Sequence, residues 1–280
     1  MDKKKLIINA AMTGMVPTKQ DNPNVPVTPD EIAYDCFNCL QTGASIFHLH
    51  ARDEEGKPTY RLDIYRAIVA KVKTKCPEAI ICVSTSGRTF KTFEQRSEVL
   101  DLEGDLKPDM ASLTLGSMNF PNQASVNDPA MIRMLAEKMH EKGIVPELEV
   151  FDLGMIDYAK YLISKSILHE PYYFNILLGS LGTLSATPFN LATMVQELPE
   201  NATWAAAGIG RFQFFANALA ITMGGNVRVG LEDNLHMDTE KKIHATNEKL
   251  IRRLNKLSSA YEREICKPVE ARQIIGLSIK

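Results

Sequence analysis

Short apolar segments alternate with longer amphipathic segments along this chain, and no other feature of the sequence constrains its fold as strongly. Eight of the short segments are rich in residues that favour β-strands. Their starts lie roughly 23 to 39 residues apart, about the length of a strand, a helix and two loops. They are Leu6–Ala10, Ser45–His50, Ile80–Ser84, Met110–Thr114, Val145–Val150, Tyr173–Leu178, Thr203–Ala207 and Asn226–Val229. Eight strand–helix pairs predict one closed (β/α)8 TIM barrel over residues 1–280, with a helical tail from about residue 240; the alternative is a doubly wound open sheet.

The segments between these strands carry residues typical of helix ends. Thr28-Pro-Asp-Glu31 has the pattern of a capping box with proline at the first helical position. Asp128-Pro129 and Thr187-Pro188 repeat the order of a cap followed by proline. Three glycines stand where the preceding helices should end: Gly43, Gly143 and Gly224.

Composition excludes several classes of protein. An apolar content of 45% and a charged content of 24% are those of a globular chain. Lys and Arg total 32 against 34 for Asp and Glu, so there is no basic excess with which to bind nucleic acid. No stretch approaches the roughly 20 apolar residues that span a bilayer, and the apolar run near the start is too short for a signal peptide. We therefore expect a soluble cytoplasmic protein without nucleic-acid or membrane partners.

Two histidines two residues apart stand at the end of the second predicted strand. Alternate side chains of a strand point the same way, so His48 and His50 share a face. In a closed barrel the first strand lies between the second and the eighth, and Glu232 at the end of the eighth can reach the same point. Together they predict a His–His–Glu set typical of catalytic zinc, which would also suit iron(II) or manganese(II). The alternative is a histidine pair hydrogen-bonded to loops, and His236 is a competing third ligand.

Hydroxyl groups follow the third predicted strand and lie within the fourth. The third ends in Val83-Ser-Thr-Ser-Gly-Arg88, and the fourth contains Met110-Ala-Ser-Leu-Thr-Leu-Gly116. Such hydroxyls and free backbone N–H groups can bind a carboxylate close to a metal. Serine, threonine and glycine are also ordinary turn residues, which is the alternative interpretation.

Two glutamates share one face of the fifth predicted strand, in Pro146-Glu-Leu-Glu-Val-Phe-Asp152. If Glu147 and Glu149 are buried together, each can raise the pKa of the other or balance a nearby cation such as Arg228. The alternative is a purely structural ion pair inside the barrel.

Six motifs spread over about four-fifths of the chain together resemble the β-keto acid cleavage enzyme family. They are Ala10-Ala-Met-Thr-Gly14, His48-Leu-His50, Ser84-Thr-Ser-Gly87, Pro146-Glu-Leu-Glu-Val150, Trp204-Ala-Ala-Ala-Gly-Ile-Gly-Arg211 and Gly230-Leu-Glu-Asp-Asn234. The resemblance implies a TIM barrel, a zinc ion and a homo-oligomer, with a tetramer favoured. It also implies a reaction in which a β-keto acid and acetyl-CoA yield acetoacetate and a new acyl-CoA.

The resemblance also implies roles for individual residues. His48, His50 and Glu232 match the metal ligands, Asp233 matches the catalytic acid–base residue, and Arg228 matches its charged neighbour. The positions that match substrate-binding residues are Ser84, Gly87 and Ser112. In the expected mechanism zinc polarises the 3-keto oxygen, and Asp233, held ionised by Arg228, removes the C2 proton. The enolate attacks the acetyl thioester, the CoA thiolate attacks the original ketone, and retro-Claisen cleavage follows.

One substrate-binding position departs from the pattern expected of family members that take a cationic substrate. Val16 stands where those members are expected to carry an acidic residue, after Thr13-Gly14. An ammonium group there would lack its partner charge. We therefore expect a neutral, short aliphatic side chain on the β-keto acid, with Asp21 as a possible substitute charge.

The residues that bind CoA are not assigned by the sequence. Gly179-Ser-Leu-Gly182 and Gly208-Ile-Gly-Arg211 follow the sixth and seventh strands and could cradle phosphates, although tight turns require glycine for geometry alone. Two other functions stay open on the residues: a metal-dependent aldolase, lyase or hydrolase that does not use acetyl-CoA, and a binding module in which the metal is structural or absent.

Overall fold

Eight parallel strands form a closed barrel in the computed structural model, which describes residues 4–278. Residues 1–3 and 279–280 of the predicted domain lie outside the described residues. The barrel strands are β1 (Ile8–Ala11), β2 (Ile46–Leu49), β3 (Ile80–Val83), β4 (Met110–Thr114), β5 (Val145–Val150), β6 (Tyr173–Leu178), β7 (Thr203–Gly208) and β8 (Asn226–Val229). Each strand pairs with its neighbours in chain order, and β8 closes the ring on β1. The predicted (β/α)8 barrel is confirmed, and the open sheet is wrong.

The strand bounds differ from the prediction most at the first two strands, and by one residue at the ends of the third and the seventh. Leu6 lies outside β1 because it pairs with Ile265 near the end of the chain, where its N–H donates to the carbonyl of Glu264 at 2.8 Å. His50 lies one residue beyond β2. The segment Ala51–Arg52 instead forms a short antiparallel pair with Pro58–Thr59 above the barrel.

Helices follow the strands around the outside of the barrel. They are α1 (Pro29–Gln41), α2 (Leu62–Lys75), α3 (Phe93–Ser97), α4 (Pro129–Glu141), α5 (Leu153–Ser164), α6 (Pro188–Gln196), α7 (Gln213–Thr222), α8 (Asn247–Ala260) and α9 (Pro268–Ile274). The predicted helix starts are confirmed: Thr28 and Glu31 form a capping box, and Asp128 and Thr187 cap α4 and α6. The predicted terminal glycines have positive φ: Gly43, Gly143 and Gly224.

The segment beyond residue 240 completes the fold. Helix α8 packs against α1 and α7, as the eighth helix of the outer ring must. Helix α9 lies at the amino-terminal end of the barrel strands, opposite their carboxyl ends. Its Ala271 and the following Ile275 join a buried cluster with Ile7, Ile46 and Ile80, which lie immediately before β1 and at the start of β2 and β3.

A polar network occupies the barrel interior. The side chains of Asn9 and Asn175 are fully buried and donate hydrogen bonds to Oε1 of Glu147, each at 2.6 Å. A buried carboxylate is tolerated only when such partners replace its water. These two amides therefore fix the carboxylate of Glu147 inside the barrel and aim its second oxygen towards the end of β2.

Two further features bear on function. After β4 the chain forms a hairpin of Met118–Asn119 with Ala124–Ser125, which rises above the carboxyl ends of the strands. Within residues 4–278, none of the helices combines the length and the apolar character that crossing a membrane requires.

The pH dependence of stability is predicted from Asp35 on α1. Burial raises the pKa of Asp35 from 3.8 to about 6, although Asn247 donates a hydrogen bond to it at 2.8 Å. The folded state therefore binds this proton more tightly than the unfolded state, and the resulting stability is present below about pH 4 and lost as the pH rises through 6. We expect Asp35→Asn to raise the free energy of unfolding by about 1–3 kcal/mol at pH 7 and by almost nothing at pH 4. Urea unfolding of both proteins from pH 4 to 8 measures this difference; a gain that is equal at both ends contradicts the assignment.

Candidate active site

A cavity of about 830 Å³ opens at the carboxyl ends of the strands, the end at which barrels of this kind carry their chemistry. His48, His50, Glu232, Asp233 and Arg228 all reach its wall. Four of them come from the two strands on either side of β1 or from the turn that follows β8. The predicted convergence of the second and eighth strands thus occurs in the structure.

The donor atoms of His48, His50 and Glu232 face one another. The two Nε2 atoms of the histidines are 3.1 Å apart, and Oε1 of Glu232 is 3.2 Å from Nε2 of His50. Oε2 of Glu232 is 3.7 Å from Nε2 of His48. Two imidazole nitrogens and one carboxylate oxygen within such a space form a donor set that zinc, iron(II) or manganese(II) accepts.

Close packing of two loops gives Glu232 its place. Gly14, after β1, has φ +73°, and a Cβ there would lie 2.6 Å from Cγ of Glu232. The N–H of Glu232 donates to the carbonyl of Ala11 at 3.2 Å. On the other side Asn247 accepts from the N–H of Leu231 at 2.8 Å. The loop after β8 is therefore held directly against the end of β1, which puts the carboxylate within reach of the histidines.

Glu147 fixes the orientation of the His48 imidazole. Its Nδ1 lies 2.6 Å from Oε2 of Glu147, and a proton held on Nδ1 leaves the lone pair of Nε2 free for a metal. Burial lowers the pKa of His48, but the charges of Glu147 and Glu232 outweigh it and raise the pKa to about 9. The surroundings thus stabilise a positive charge at this imidazole, whether a proton or a metal ion carries it.

A second sign that the set fits a metal is an unsatisfied oxygen. Oε2 of Glu232 is buried and has no hydrogen-bond partner among the described residues. Burial raises the pKa of this carboxyl, but His50, Arg228 and His48 together hold it well below its usual range, so the group is ionised. A buried ionised oxygen without a donor is costly unless a cation completes it.

Arg228 is the centre of a buried ion-pair cluster beside these three residues. Its Nε lies 3.1 Å from Asp233, its Nη1 3.0 Å from Glu149 and its Nη2 2.9 Å from Glu232. The predicted pairing of Arg228 with the glutamates of the fifth strand is confirmed: Nη1 of Arg228 lies 3.0 Å from Glu149 and 3.7 Å from Glu147, and Glu147 also lies 2.6 Å from Nδ1 of His48.

Asp233 is a buried carboxylate with a raised pKa. Burial and the neighbouring charge of Glu232 raise the pKa of Asp233 above its ordinary value, while Arg228 opposes them. The sequence suggested only the opposing effect of Arg228. A carboxylate with a raised pKa is a stronger base, so the position suits proton transfer.

The predicted substrate-binding positions separate into two groups. Ser84 lines the cavity. Gly87 and Ser112 are not on its wall. The hydroxyl of Ser112 accepts from the N–H of Thr85 at 3.1 Å, and a Cβ on Gly87 would lie 2.5 Å from the carbonyl oxygen of Val126. Ser112 thus holds the loop after β3 by this hydrogen bond, and Gly87 allows the same loop to pack closely against the backbone of Val126.

Residues at the mouth of the cavity include several that the sequence left open. Val16 lines the wall with 55% of its surface exposed. Asp21 lies nearby, and Thr18 donates to its carboxylate through a hydroxyl at 2.6 Å and an N–H at 3.0 Å, which lowers its pKa. Gly179 and Arg211, from the two glycine-rich turns, also line the cavity. His236 reaches the wall too, but its ring lies against His244, and it is not one of the grouped donors.

Two residues that stood in the quoted segments but were given no individual role contribute to the wall. The hydroxyl of Thr114, at the end of β4, donates to Glu149 at 2.7 Å. The guanidinium of Arg88 lies 3.6 Å from the centre of the Phe120 ring. Thr114 could have been found because it shares the face of Ser112 two residues earlier on the strand. Arg88 directly follows the Ser-Thr-Ser-Gly turn, and a basic residue at that place was the available signal.

Comparison with known proteins agrees with this geometry. The family model of the beta-keto acid cleavage enzyme matches residues 5–277. The chain is 41% identical over 275 residues to a 3-keto-5-aminohexanoate cleavage enzyme of Fusobacterium nucleatum, covering 98% of both chains. It is 33% identical to a 3-oxoadipate:acetyl-CoA acetyltransferase of Cupriavidus necator, covering 97% of this chain and 94% of the relative.

A solved structure supports the fold independently. The apo structure of ObcA superposes with a TM-score of 0.82 at 22% identity, over 92% of this chain and 66% of that one. At this identity the likeness concerns the barrel alone. The family match over nearly the whole chain, together with the relative at 41% identity, shows that this chain belongs to the β-keto acid cleavage enzyme family.

Proposed function

We propose that this enzyme condenses a β-keto acid with acetyl-CoA at the metal-binding set of His48, His50 and Glu232, and releases acetoacetate and a new acyl-CoA. The observation that carries the proposal is the meeting of that donor set with the Arg228–Asp233 pair on one cavity wall. A divalent cation bound there, for which we propose zinc, would act as a Lewis acid on the ketone.

The proton steps are assigned to Asp233. Its carboxylate takes a proton from C2 of the β-keto acid, which leaves a carbanion conjugated with the ketone. Arg228 holds Asp233 through Nε at 3.1 Å and Nη2 at 3.4 Å, so the carboxylate has one orientation. A positioned base of this kind contributes roughly 10²- to 10⁴-fold to the rate.

The carbon–carbon steps then balance without any redox partner. The C2 carbanion attacks the acetyl thioester carbon, a C–C bond forms, and the CoA thiolate leaves. This thiolate attacks the original ketone carbon, and the bond between that carbon and C2 breaks. The acyl group leaves as its CoA thioester, and the carbanion of acetoacetate takes back the proton from Asp233.

One assay tests the proposal against its strongest alternative. Purified zinc-loaded protein is incubated with a panel of β-keto acids, and acetoacetate is measured with and without acetyl-CoA. We expect acetoacetate only when acetyl-CoA is present, together with one equivalent of the new acyl-CoA. Cleavage that proceeds without acetyl-CoA would instead indicate an aldolase, a lyase or a hydrolase on the same barrel.

The substrate side chain is proposed to be neutral and aliphatic, because Val16 stands where an acidic residue is expected in members that take a cationic substrate. We expect the wild type to have a higher kcat/KM for 3-ketohexanoate than for 3-keto-5-aminohexanoate. The change Val16→Glu should reverse this order, since a paired ammonium group is worth roughly 10-fold or more in affinity. The nearby Asp21→Asn variant is the matched control: if Asp21 already serves the ammonium, this variant lowers kcat/KM for the amino substrate, and the proposal of a neutral side chain is wrong.

Assembly into a homo-oligomer, with a tetramer favoured, also stays a proposal from the family resemblance, as do the soluble state and cytoplasmic location expected from the sequence. Light scattering of the purified protein would measure the number of subunits.

A further inference from the structure

We propose that Arg88 binds the C1 carboxylate of the β-keto acid, an inference that rests on the function proposed above. Arg88 lies on the loop after β3, next to Gly87, and lines the cavity together with Ser84 and Ser86 of the same loop. Its backbone is fixed at both ends: its N–H donates to the hydroxyl of Ser86 at 3.3 Å, and its carbonyl accepts from Lys91 at 3.0 Å.

The guanidinium of Arg88 lies over an aromatic ring. It lies 3.6 Å from the centre of Phe120, which belongs to the hairpin after β4. Phe120 in turn meets the buried ring of Phe151 edge-on, with 6.0 Å between the ring centres. Stacking of this kind orients the guanidinium plane and leaves its N–H edge free for a planar anion.

That N–H edge has no hydrogen-bond or ion-pair partner among residues 4–278. Other arginines of this region use their donors within the protein. Arg52 donates to the carbonyls of Gly14 and Pro17, and Arg96 to the carbonyl of Thr85. Arg88 is half-buried, so it gives up part of its hydration without gaining a protein partner. A bound anion would supply that partner.

The charge of the site explains why an anionic substrate needs such a group. Glu149, Glu232 and Asp233 all reach the cavity, and Arg228 is already shared among them. These acids are close enough to Arg88 to favour its charged form, while burial lowers its pKa. A β-keto acid brings one more negative charge, and a carboxylate is the group that an arginine edge binds in two parallel hydrogen bonds.

The position of Arg88 favours the C1 carboxylate over the other anions of the reaction. Ser84 and Ser86 offer hydroxyl donors on the same loop, so the loop as a whole carries a set of carboxylate donors. Val16, proposed to face the substrate side chain, follows β1. Gly179 and Arg211, the candidates for CoA, follow β6 and β7.

The inference is tested first by binding alone. Acetoacetate is titrated into the zinc-loaded protein by calorimetry in the absence of acetyl-CoA, so no turnover is required. We expect Arg88→Gln to weaken acetoacetate binding roughly 10- to 100-fold, and Arg88→Lys to weaken it less, because lysine keeps the charge but not the two-point geometry. The control is Lys241→Gln, which removes an exposed positive charge from the same cavity wall and should leave the affinity unchanged.

Steady-state kinetics distinguish the source of the carboxylate. We expect Arg88→Gln to raise KM by the same factor for 3-ketohexanoate and for the dicarboxylic 3-oxoadipate, and to leave the KM for acetyl-CoA unchanged. A rise confined to the dicarboxylic substrate would assign Arg88 to a side-chain carboxylate, and a rise confined to acetyl-CoA would assign it to a phosphate. Either result, or unchanged acetoacetate binding, overturns the proposal.

Two outcomes remain distinct in this design. Zinc content and melting temperature equal to those of the wild type show that a variant is folded. If Arg88→Gln does not fold, Arg88→Lys is tested instead, and we expect it to bind acetoacetate more weakly than the wild type. Unchanged acetoacetate binding by Arg88→Lys overturns the proposal. If wild-type protein produces no acetoacetate from any β-keto acid but binds acetoacetate through Arg88, the proposed function is wrong and the carboxylate site is supported.

Discussion

Asp233→Asn is expected to lower kcat by about 10²- to 10⁴-fold while the protein keeps its full complement of zinc. Asparagine has almost the same shape as aspartate and can still lie against Arg228, whose Nε is 3.1 Å from the carboxylate. It cannot take up the C2 proton. Metal content by atomic emission and kcat with saturating substrates measure the two halves of this prediction.

The control for Asp233 is exchange of the substrate C2 protons. Wild-type protein should exchange them with deuterium oxide when acetyl-CoA is absent, and Asp233→Asn should not. If the variant turns over at a rate close to that of the wild type, another group is the base. Arg228 would not replace it. Burial lowers the pKa of Arg228, but the charges of four neighbouring carboxylates outweigh this and hold the pKa well above its ordinary value.

Glu232→Gln is expected to lose zinc, whereas Asp233→Asn is expected to keep it, although the two residues are adjacent in the chain. It removes the charged oxygen from the donor set, so zinc affinity should fall by more than the roughly 10- to 100-fold typical of losing an outer partner of a metal site. Activity should disappear with the metal and return in part at high zinc concentration. Competition with a chromogenic chelator measures the affinity.

Two further measurements accompany Glu232→Gln. Wild-type protein treated with a chelator should lose activity and recover it when zinc is added. His236→Ala should retain wild-type zinc affinity, since His236 lies against His244 and outside the grouped donors. Normal zinc affinity in Glu232→Gln, or loss of zinc in His236→Ala, would show that the donor set is wrongly assigned.

Much of the fold could be predicted because its rules act over short distances. The eight strands alternate with helices at regular spacing, and the caps at Thr28, Asp128 and Thr187 need only four neighbouring residues each. The juxtaposition of His48 with Glu232 also followed, because the closure of a barrel fixes which strands are neighbours.

The rest of the site depends on contacts that no local pattern encodes. Ser112 stays a predicted substrate-binding residue, and the sequence did not reveal that its hydroxyl accepts from the backbone of Thr85 on the neighbouring loop. Glu147 lies closer to His48 than to Arg228, and Asn9 and Asn175 hold its carboxylate there from two other strands. Which of two neighbouring groups a buried carboxylate bonds to thus depends on side chains that several strands place at the same level along the barrel axis.

The role proposed for Arg88 was out of reach for the same reason. Its stacking partner Phe120 belongs to a hairpin whose strands, Met118–Asn119 and Ala124–Ser125, are two residues long. So short a hairpin has no periodic pattern, and its position over the loop after β3 is set by Arg96, which donates to Thr85 and to Asn127.

The position of β1 between β2 and β8 has a consequence for how the enzyme matures during synthesis. His48 leaves the ribosome early, but Glu232 is made 184 residues later, and only ring closure brings the two within 3.7 Å. A growing chain therefore has no complete binding set until nearly all of it has been translated. The proposed metal ion would therefore be captured late in biogenesis, after the strands that carry its ligands have come together.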